Sequence, residues 1–313
     1  MNKKIAFQID HPKSLNLLTD TSYIFMKELV TRGYEVFFYE PKTLSYSNGS
    51  VFAKASRFND LNFINTNTDN YKSTCLNEFN AVFIRQNPPF DIAYITATYI
   101  LDMLKKHGVR ILNDSTSIRN HTEKLFALEF EKFMPKTLLT TDYDEARDFF
   151  VANGEIVIKP LHSFGGEGVF YIPKDDRNLF SAFNLLQKAF GLAVPIICQQ
   201  YVPEIRTVGD KRIILVNGEY FKALNRIQAD NMSVSNTRNG AVALTCDINE
   251  REAEIVKAVS GRLRELGLSF VGIDVIGGKY LTEINVTSPT GLALMNRIYN
   301  TKLEDKVISL LGF

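Results

Sequence analysis

The 313-residue sequence predicts a parallel α/β domain in its first third and an α+β module in the remainder. Alternating strand and helix patterns up to about residue 114 predict the first, and antiparallel strand pairs after it predict the second. The composition, 45% hydrophobic and 23% charged, is that of an ordinary folded protein and excludes fibrous and largely disordered classes. Lys and Arg number 36 against 35 Asp and Glu, a net charge of +1. Bulk charge therefore predicts no nucleic-acid partner and no membrane surface, and any anion has to be held by individually placed residues. Cys75, Cys198 and Cys246 are widely spaced and form no CxxC, which argues against a disulfide framework or a cysteine metal site. Residues 5–9 are too few for a signal core, and no apolar run nears the length of a membrane span. A cytoplasmic enzyme or binding protein is expected.

In chain order, residues 4–9 read as a short buried strand. Ile24, Phe25, Leu29 and Val30 follow at helical spacing, and Gly33 closes that helix after Arg32. Residues 34–39 read as the next strand. Asn48-Gly49, inside 45–52, is the dipeptide a tight hairpin turn prefers because both central positions need positive φ. A strand over 81–84, a helix over 91–107 ending at Gly108 and a strand over 109–112 complete the parallel α/β pattern. A capped helix then starts at Ser115 or Ser117 and runs through Glu123-Lys124-Leu125-Phe126, with a domain boundary near residue 120. Beyond it, strands 155–159 and 169–172 flank a glycine-rich loop. Strands 211–216 and 219–224 flank Asn217-Gly218, and strands 270–276 and 279–285 flank Gly277-Gly278.

The last pair carries the most chemistry. A two-residue turn at Gly277-Gly278 sets Ile276 opposite Lys279, hence Asp274 opposite Leu281, with Glu283 one diagonal step away on the same face. Asn285 shares that face, while Val271, Ile273, Val275, Tyr280 and Ile284 form the apolar one. Two carboxylates and an amide oxygen projecting together are hard-oxygen ligands suited to Mg²⁺. For one carboxylate alone, a solvated polar sheet face is the better reading. Lys159, at the end of an apolar strand before Gly165-Gly166, offers a cation and loop N–H groups to a polyphosphate, and Lys124 offers a second cation. Taken singly, the loop reads as a plain turn and Lys124 as a surface lysine. Arg212 and Arg226 are candidates for stabilising a transferring phosphoryl group, or else ion-pair partners on the surface. His11, His107, His121 and His162 show no metal spacing, and there is no Walker A, GxGxxG or GxSxG motif.

These pieces, in this order, resemble the ATP-grasp ligases and more closely the bacterial glutathione synthetase family. The carriers are Arg85-Gln86-Asn87-Pro88-Pro89-Phe90-Asp91, Glu123-Lys124-Leu125-Phe126, Ile158-Lys159-Pro160 with Gly165-Gly166, Gln199-Gln200-Tyr201-Val202-Pro203, Gly209-Asp210-Lys211-Arg212, and the block from Leu281 to Thr290. The resemblance implies a Rossmann-like domain over 1–120 and an ATP-grasp fold over 121–313, divided into a nucleotide lid (about 121–200) and a catalytic subdomain (about 201–313). It implies Lys124 and Lys159 at the phosphates of ATP, Gly165 and Gly166 in the loop above them, and the backbone of Gln199, Gln200, Tyr201 and Val202 along the adenine. Asp210 would approach the ribose, and Asp274, Glu283 and Asn285 would hold Mg²⁺, or Mn²⁺ in its place. Arg212 and Arg226 would face the transferred phosphate; Arg85, Ser288, Pro289 and Thr290 would lie beside the acyl substrate. The implied reaction joins γ-glutamylcysteine to glycine through an acyl phosphate, in a homo-oligomeric enzyme. Read without the resemblance, the residues reach an ATP-dependent carboxylate–amine ligase. Another acid–amine pair, or ATP binding without turnover, stays open at that point. The sequence departs from the family at His162-Ser163 (Asp-Gly there), at Asn87 (Asp there), and in residues 227–244, a polar stretch expected to be a mobile lid, where a Gly-Gly pair is missing.

Overall fold

A computed structural model describes residues 3–66, 71–163, 165–191, 193–227 and 242–313. Strand β1 (Lys4–Gln8) pairs in parallel with β2 (Glu35–Tyr39) through helix α1 (Thr21–Thr31), whose first turn is capped by the Asp20 carboxylate accepting from the Tyr23 N–H at 2.7 Å. Strand β3 (Ser45–Ser47) turns at Asn48-Gly49, with φ of 48° and 85°, into β4 (Ser50–Arg57). Strand β4 runs antiparallel to both β2 and β5 (Lys72–Cys75). Strand β6 (Ala81–Ile84), helix α2 (Ile92–Lys105) and strand β7 (Arg110–Leu112) extend the parallel side. The first sheet is therefore mixed rather than wholly parallel: β2-β1-β6-β7 is its parallel core, and the tight Asn-Gly turn sends the chain back to build an antiparallel edge.

The single helix expected from residue 115 onward is two, α3 (Ser115–Asn120) and α4 (Glu123–Ala127). Asp114, not Ser115 or Ser117, is the N-cap, its Oδ1 accepting from the Ser117 N–H at 3.0 Å. Ser115 spends its hydroxyl on Asp102 instead, at 2.6 Å. The break falls at His121 and Thr122, whose backbones leave the helical region, so α4 starts afresh and presents Lys124 independently of α3.

The second sheet, in the order β10-β9-β11-β8, holds β8 (Thr137–Thr140), β9 (Ile156–Pro160), β10 (Phe170–Ile172) and β11 (Ile196–Gln200). Helices α5 (Tyr143–Asn153) and α6 (Leu179–Phe190) cover one face, and Ile156, Ile158, Phe183 and Leu186 belong to a core separate from the rest of the molecule. The third sheet runs β14-β13-β12-β15-β16, from β12 (Asp210–Val216), β13 (Glu219–Ile227), β14 (Val242–Thr245), β15 (Phe270–Ile276) and β16 (Tyr280–Asn285). Helices α7 (Glu250–Glu265), α8 (Leu292–Tyr299) and α9 (Leu303–Leu310) accompany it. Its apolar residues share cores with the first sheet: Ile273 and Leu281 with Val82 and Ile111, and Phe270 with Phe7 and Phe83. Asn113 clasps the two together, accepting from the Phe270 N–H at 2.9 Å and donating to the carbonyls of Phe270 and Val286 at 2.8 Å.

The β15–β16 register differs from the expectation. Ile276 pairs with Tyr280, Val275 with Leu281, and Asp274 directly with Glu283, the shift absorbed by a bulge between Asp274 and Val275 that leaves Thr282 as the extra residue. Leu281 thus takes the core place expected of Tyr280, which is only half-buried. The bulge aims Glu283 straight across at Asp274. Of the stretch 227–244 read as a lid, residues 228–241 lie outside the described residues. Among the described residues no helix is long and apolar enough to cross a membrane.

Candidate functional site

One cleft of about 250 Å³ opens between the second and third sheets. Its walls carry Lys124, Lys159, Gly165, Gly166, Gln199, Gln200, Tyr201, Val202, Asp210, Arg212, Arg226, Asp274, Glu283, Asn285, Ser288, Pro289 and Thr290. Every site residue expected from the sequence is there except Arg85. That side chain is buried behind the wall, donating to the Pro289 carbonyl at 2.9 Å and the Ser22 hydroxyl at 3.1 Å. It reaches the cleft only through the turn it supports.

Two lysines enter from different elements. Lys124, on α4, donates to the Ser163 carbonyl at 2.5 Å and stands 3.7 Å from Glu283. Lys159, on β9, donates to the Gln199 Oε1 at 3.2 Å, and that amide is fixed in turn by donating to Thr137 Oγ1 at 2.8 Å. Burial lowers the Lys159 pKa and Lys124 lowers it further, with Glu283 opposing. Two buried cations facing one space have little to neutralise them from the second sheet.

Across the cleft, the third sheet arranges carboxylates and guanidinium groups in a chain. Arg212 grips Asp274 through two hydrogen bonds, at 2.5 and 2.7 Å, the bidentate geometry that suits a carboxylate. Arg226 donates to Asp210 at 2.7 Å and lies 3.2 Å from Asp274. Burial works against both carboxylates; the two arginines hold Asp274 well below the usual range, whereas Asp210, facing Asp274, is pushed up. Asp210 therefore sits in this charge network, its Oδ1 buried and without a hydrogen-bond partner among the described residues.

The donor set suits a hard divalent cation. Among the described residues no three His, Cys, Asp or Glu side chains gather as metal ligands. The cluster here relies instead on an amide. Asn285 donates to the Gly272 carbonyl at 3.1 Å, which leaves its Oδ1 as an acceptor on the face where Glu283 projects. Asp274 lies on the same face with both oxygens taken by arginine. Glu283 and Asn285 are thus the open oxygens. The N–H of Val202 has no acceptor among the described residues, an unpaired donor on the cleft wall.

Several contributors are additional to the sequence reading. Glu123, half-buried beside Lys124, accepts from Thr287 Oγ1 at 2.6 Å, and desolvation first, then Glu283, raise its pKa. Asp10 accepts from the Asn87 N–H at 3.0 Å and from its side chain at 2.7 Å, and Asn87 Oδ1 in turn accepts from Ser288 at 2.9 Å. Position was the available signal for Asp10, two residues past the carboxyl end of β1, where parallel sheets place their ligand-binding loops. A second cavity of about 560 Å³ adjoins the cleft, and Asn87, Arg212, Arg226 and Thr290 line both.

Lysines from two elements, paired arginines and open oxygens between two α+β sheets define an ATP-grasp ligase, the class that uses ATP and a divalent metal ion to activate a carboxylate. At the level of fold, the chain resembles D-cycloserine synthetase with a TM-score of 0.68, covering 98% of this chain and 99% of that one at 14% identity. Profiles of the N-terminal and ATP-grasp domains of prokaryotic glutathione synthetase match residues 3–119 and 123–300, and the chain belongs to that family. It is 40% identical over 292 residues to the glutathione synthetase of Agrobacterium fabrum, covering 93% of this chain and 90% of that protein. The enzyme of Mesorhizobium japonicum is 41% identical over 302 residues, at 95% and 94% coverage.

Proposed function

We propose that the protein is a glutathione synthetase, joining γ-glutamylcysteine and glycine at the expense of ATP to give glutathione, ADP and phosphate. The observation that carries the reading is the convergence in one cleft of Lys124 and Lys159 with Arg212, Arg226, Glu283 and Asn285, next to a larger cavity that opens at the two arginines. In this reading residues 1–120 form the substrate-side domain and 121–313 the ATP-grasp domain.

A carboxylate is a poor electrophile, so the γ-phosphoryl of ATP is moved onto it first. Lys124 from α4 and Lys159 from the second sheet hold the phosphates, Gly165 and Gly166 approach them from above, and the Val202 N–H with the Gln199–Tyr201 backbone meets the adenine. Arg212 and Arg226 neutralise charge on the transferring phosphoryl group. Glu283 and Asn285, with Asp274 beside them, hold Mg²⁺, which offsets phosphate charge when bound. The glycine nitrogen then attacks the acyl carbon, forming the amide C–N bond while the acyl C–O bond breaks and phosphate leaves. Ser288, Pro289 and Thr290 position the acyl group, with Arg85 bracing that turn from behind.

The test is ADP release with γ-glutamylcysteine and glycine, followed by mass detection of glutathione. Turnover with another acid–amine pair but not this one retires the substrate and leaves the ligase; ATP binding with no turnover on any pair retires both.

A further inference from the structure

The 560 Å³ cavity lies at the carboxyl edge of the first sheet. There β1 is flanked by β2 on one side and β6 on the other, so the chain leaves β1 and β6 in opposite directions and opens a crevice between the two loops. The loop after β1 brings Asn16 and Asp20 to its wall, the loop after β6 brings Asn87, and α8 brings Arg297. Arg212 and Arg226 close the end that meets the cleft. Unlike those two arginines, Arg297 has no ion pair or hydrogen bond among the described residues and is exposed to the cavity. Asp20 caps α1 by accepting from the Tyr23 N–H, and Ser22 donates to it from its own N–H and hydroxyl. Burial raises its pKa, while Arg85 behind it pulls the other way.

We infer that Asp20 and Arg297 form a recognition site for an α-amino-acid head group, Asp20 taking the ammonium and Arg297 the carboxylate of the acid substrate's unreactive end. One carboxylate and one unpaired guanidinium on the walls of a single cavity complement the two charges that an amino acid carries on one carbon. The reacting carboxylate belongs at the other end of the same cavity, against Arg212 and Arg226, and an acid two residues long has an extended reach of roughly 7 Å. The pair does not serve the amine substrate, whose nitrogen has to be free of a carboxylate to attack. The inference rests on the ligase reading and goes further: the enzyme selects its acid by a free α-amino group remote from the reaction.

The experiment compares γ-glutamylcysteine with glutarylcysteine, which lacks only the α-ammonium, in the wild type, Asp20→Asn and Arg297→Ala. Asparagine caps a helix as well as aspartate does, so Asp20→Asn removes the charge and keeps the fold. The wild type should prefer γ-glutamylcysteine by about 10²-fold in kcat/KM, the usual order for a lost charge-assisted contact, and Asp20→Asn should cut the preference to a fewfold. The loss should fall on the KM of the acid, with the KM values of ATP and glycine unchanged; Arg297→Ala should likewise raise the KM of the acid alone. An Asp20→Asn enzyme that keeps the full preference, or an Arg297→Ala enzyme altered in the KM of glycine instead, overturns the inference. A wild type that turns over neither dipeptide retires the glutathione reading, and the site is then read by binding. Stronger thermal stabilisation by γ-glutamylcysteine than by glutarylcysteine, abolished in Asp20→Asn, sustains it, and equal stabilisation overturns it.

Discussion

At the scale of single residues, charge in the cleft is separable from shape. Glu283 meets Asp274 across the bulge and Lys124 at 3.7 Å, and it is one of the two open oxygens of the proposed metal side. Glu283→Gln keeps the volume and polarity of the side chain, so the fold should persist while turnover falls by about 10²-fold or more, the usual cost of a lost charge-stabilising group. Steady-state kinetics across a Mg²⁺ titration check it; near-normal turnover of the variant at low Mg²⁺ contradicts the assignment. Lys159→Met replaces a buried cation by an apolar chain of similar length. Removing a charge that burial already disfavours should leave the thermal midpoint unchanged or raised, while the KM of ATP rises tenfold or more. A variant that loses stability and keeps full activity would make Lys159 a structural residue. These residues were legible because their types are chemically distinctive and their strands are short and apolar. Arg85 shows the limit: its type suits a substrate carboxylate, but sequence does not reveal that its guanidinium turns inward to the Pro289 carbonyl.

At the scale of elements, the strand pairs and their turns were readable from Asn-Gly and Gly-Gly dipeptides, and the first sheet's strands from apolar runs. Bulges and helix breaks were not. The Thr282 bulge has no glycine to announce it; it is imposed by the need to keep Leu281 in the core while Glu283 faces the cleft. The break at His121 likewise follows from tertiary contacts of Glu123 and Lys124 rather than from local propensity. Gly272 on β15 illustrates a positional demand: a Cβ there would come within 2.9 Å of Arg212 Cδ and 3.2 Å of Pro289 Cβ. Gly272→Ala should therefore displace the Arg212 side chain and lower kcat by about tenfold or more, with little change in the urea midpoint, since a small misplacement of a catalytic group is costly. Equal loss of stability and activity would point to a general packing defect instead. The α2–α3 junction supplies a pH signature. Burial opposes the Asp102 charge, but hydrogen bonds from Lys105, Ser115, Arg119 and Thr116 prevail and hold its pKa at about 2. A pKa below the unfolded value stabilises the fold above about pH 4 and the contribution is lost as pH falls toward 2, here about 1–2 kcal/mol after allowing for solvent screening. Urea unfolding of Asp102→Asn against wild type should show a stability gap at pH 6 that narrows at pH 3; a constant gap excludes this linkage.

At the scale of the whole molecule, the cleft joins parts that do not otherwise share a core. The second sheet packs on its own apolar cluster, whereas the first and third sheets are fused through common clusters and the Asn113 clasp. Sequence showed a change of pattern near residue 120 but not this fusion, because which sheets share side chains is decided by contacts between segments far apart in the chain. Lys159 stands on the separate sheet and Glu283 and Asn285 on the fused pair, so nucleotide and metal should act as a bridge between the two bodies. A ligand held only by the folded state stabilises it by about 2.7 kcal/mol at a hundredfold excess over its dissociation constant, which for a chain of this size raises the thermal midpoint by roughly 5 °C. A non-hydrolysable ATP analogue with Mg²⁺ should produce that shift in the wild type, and the analogue without metal a smaller one. In Glu283→Gln the metal-dependent increment should vanish while the analogue's own shift remains, and in Lys159→Met the analogue's own shift should shrink. Calorimetry of the three proteins with and without metal decides it: if the metal adds the same increment with and without the Glu283 charge, the oxygens that hold it lie elsewhere in the molecule.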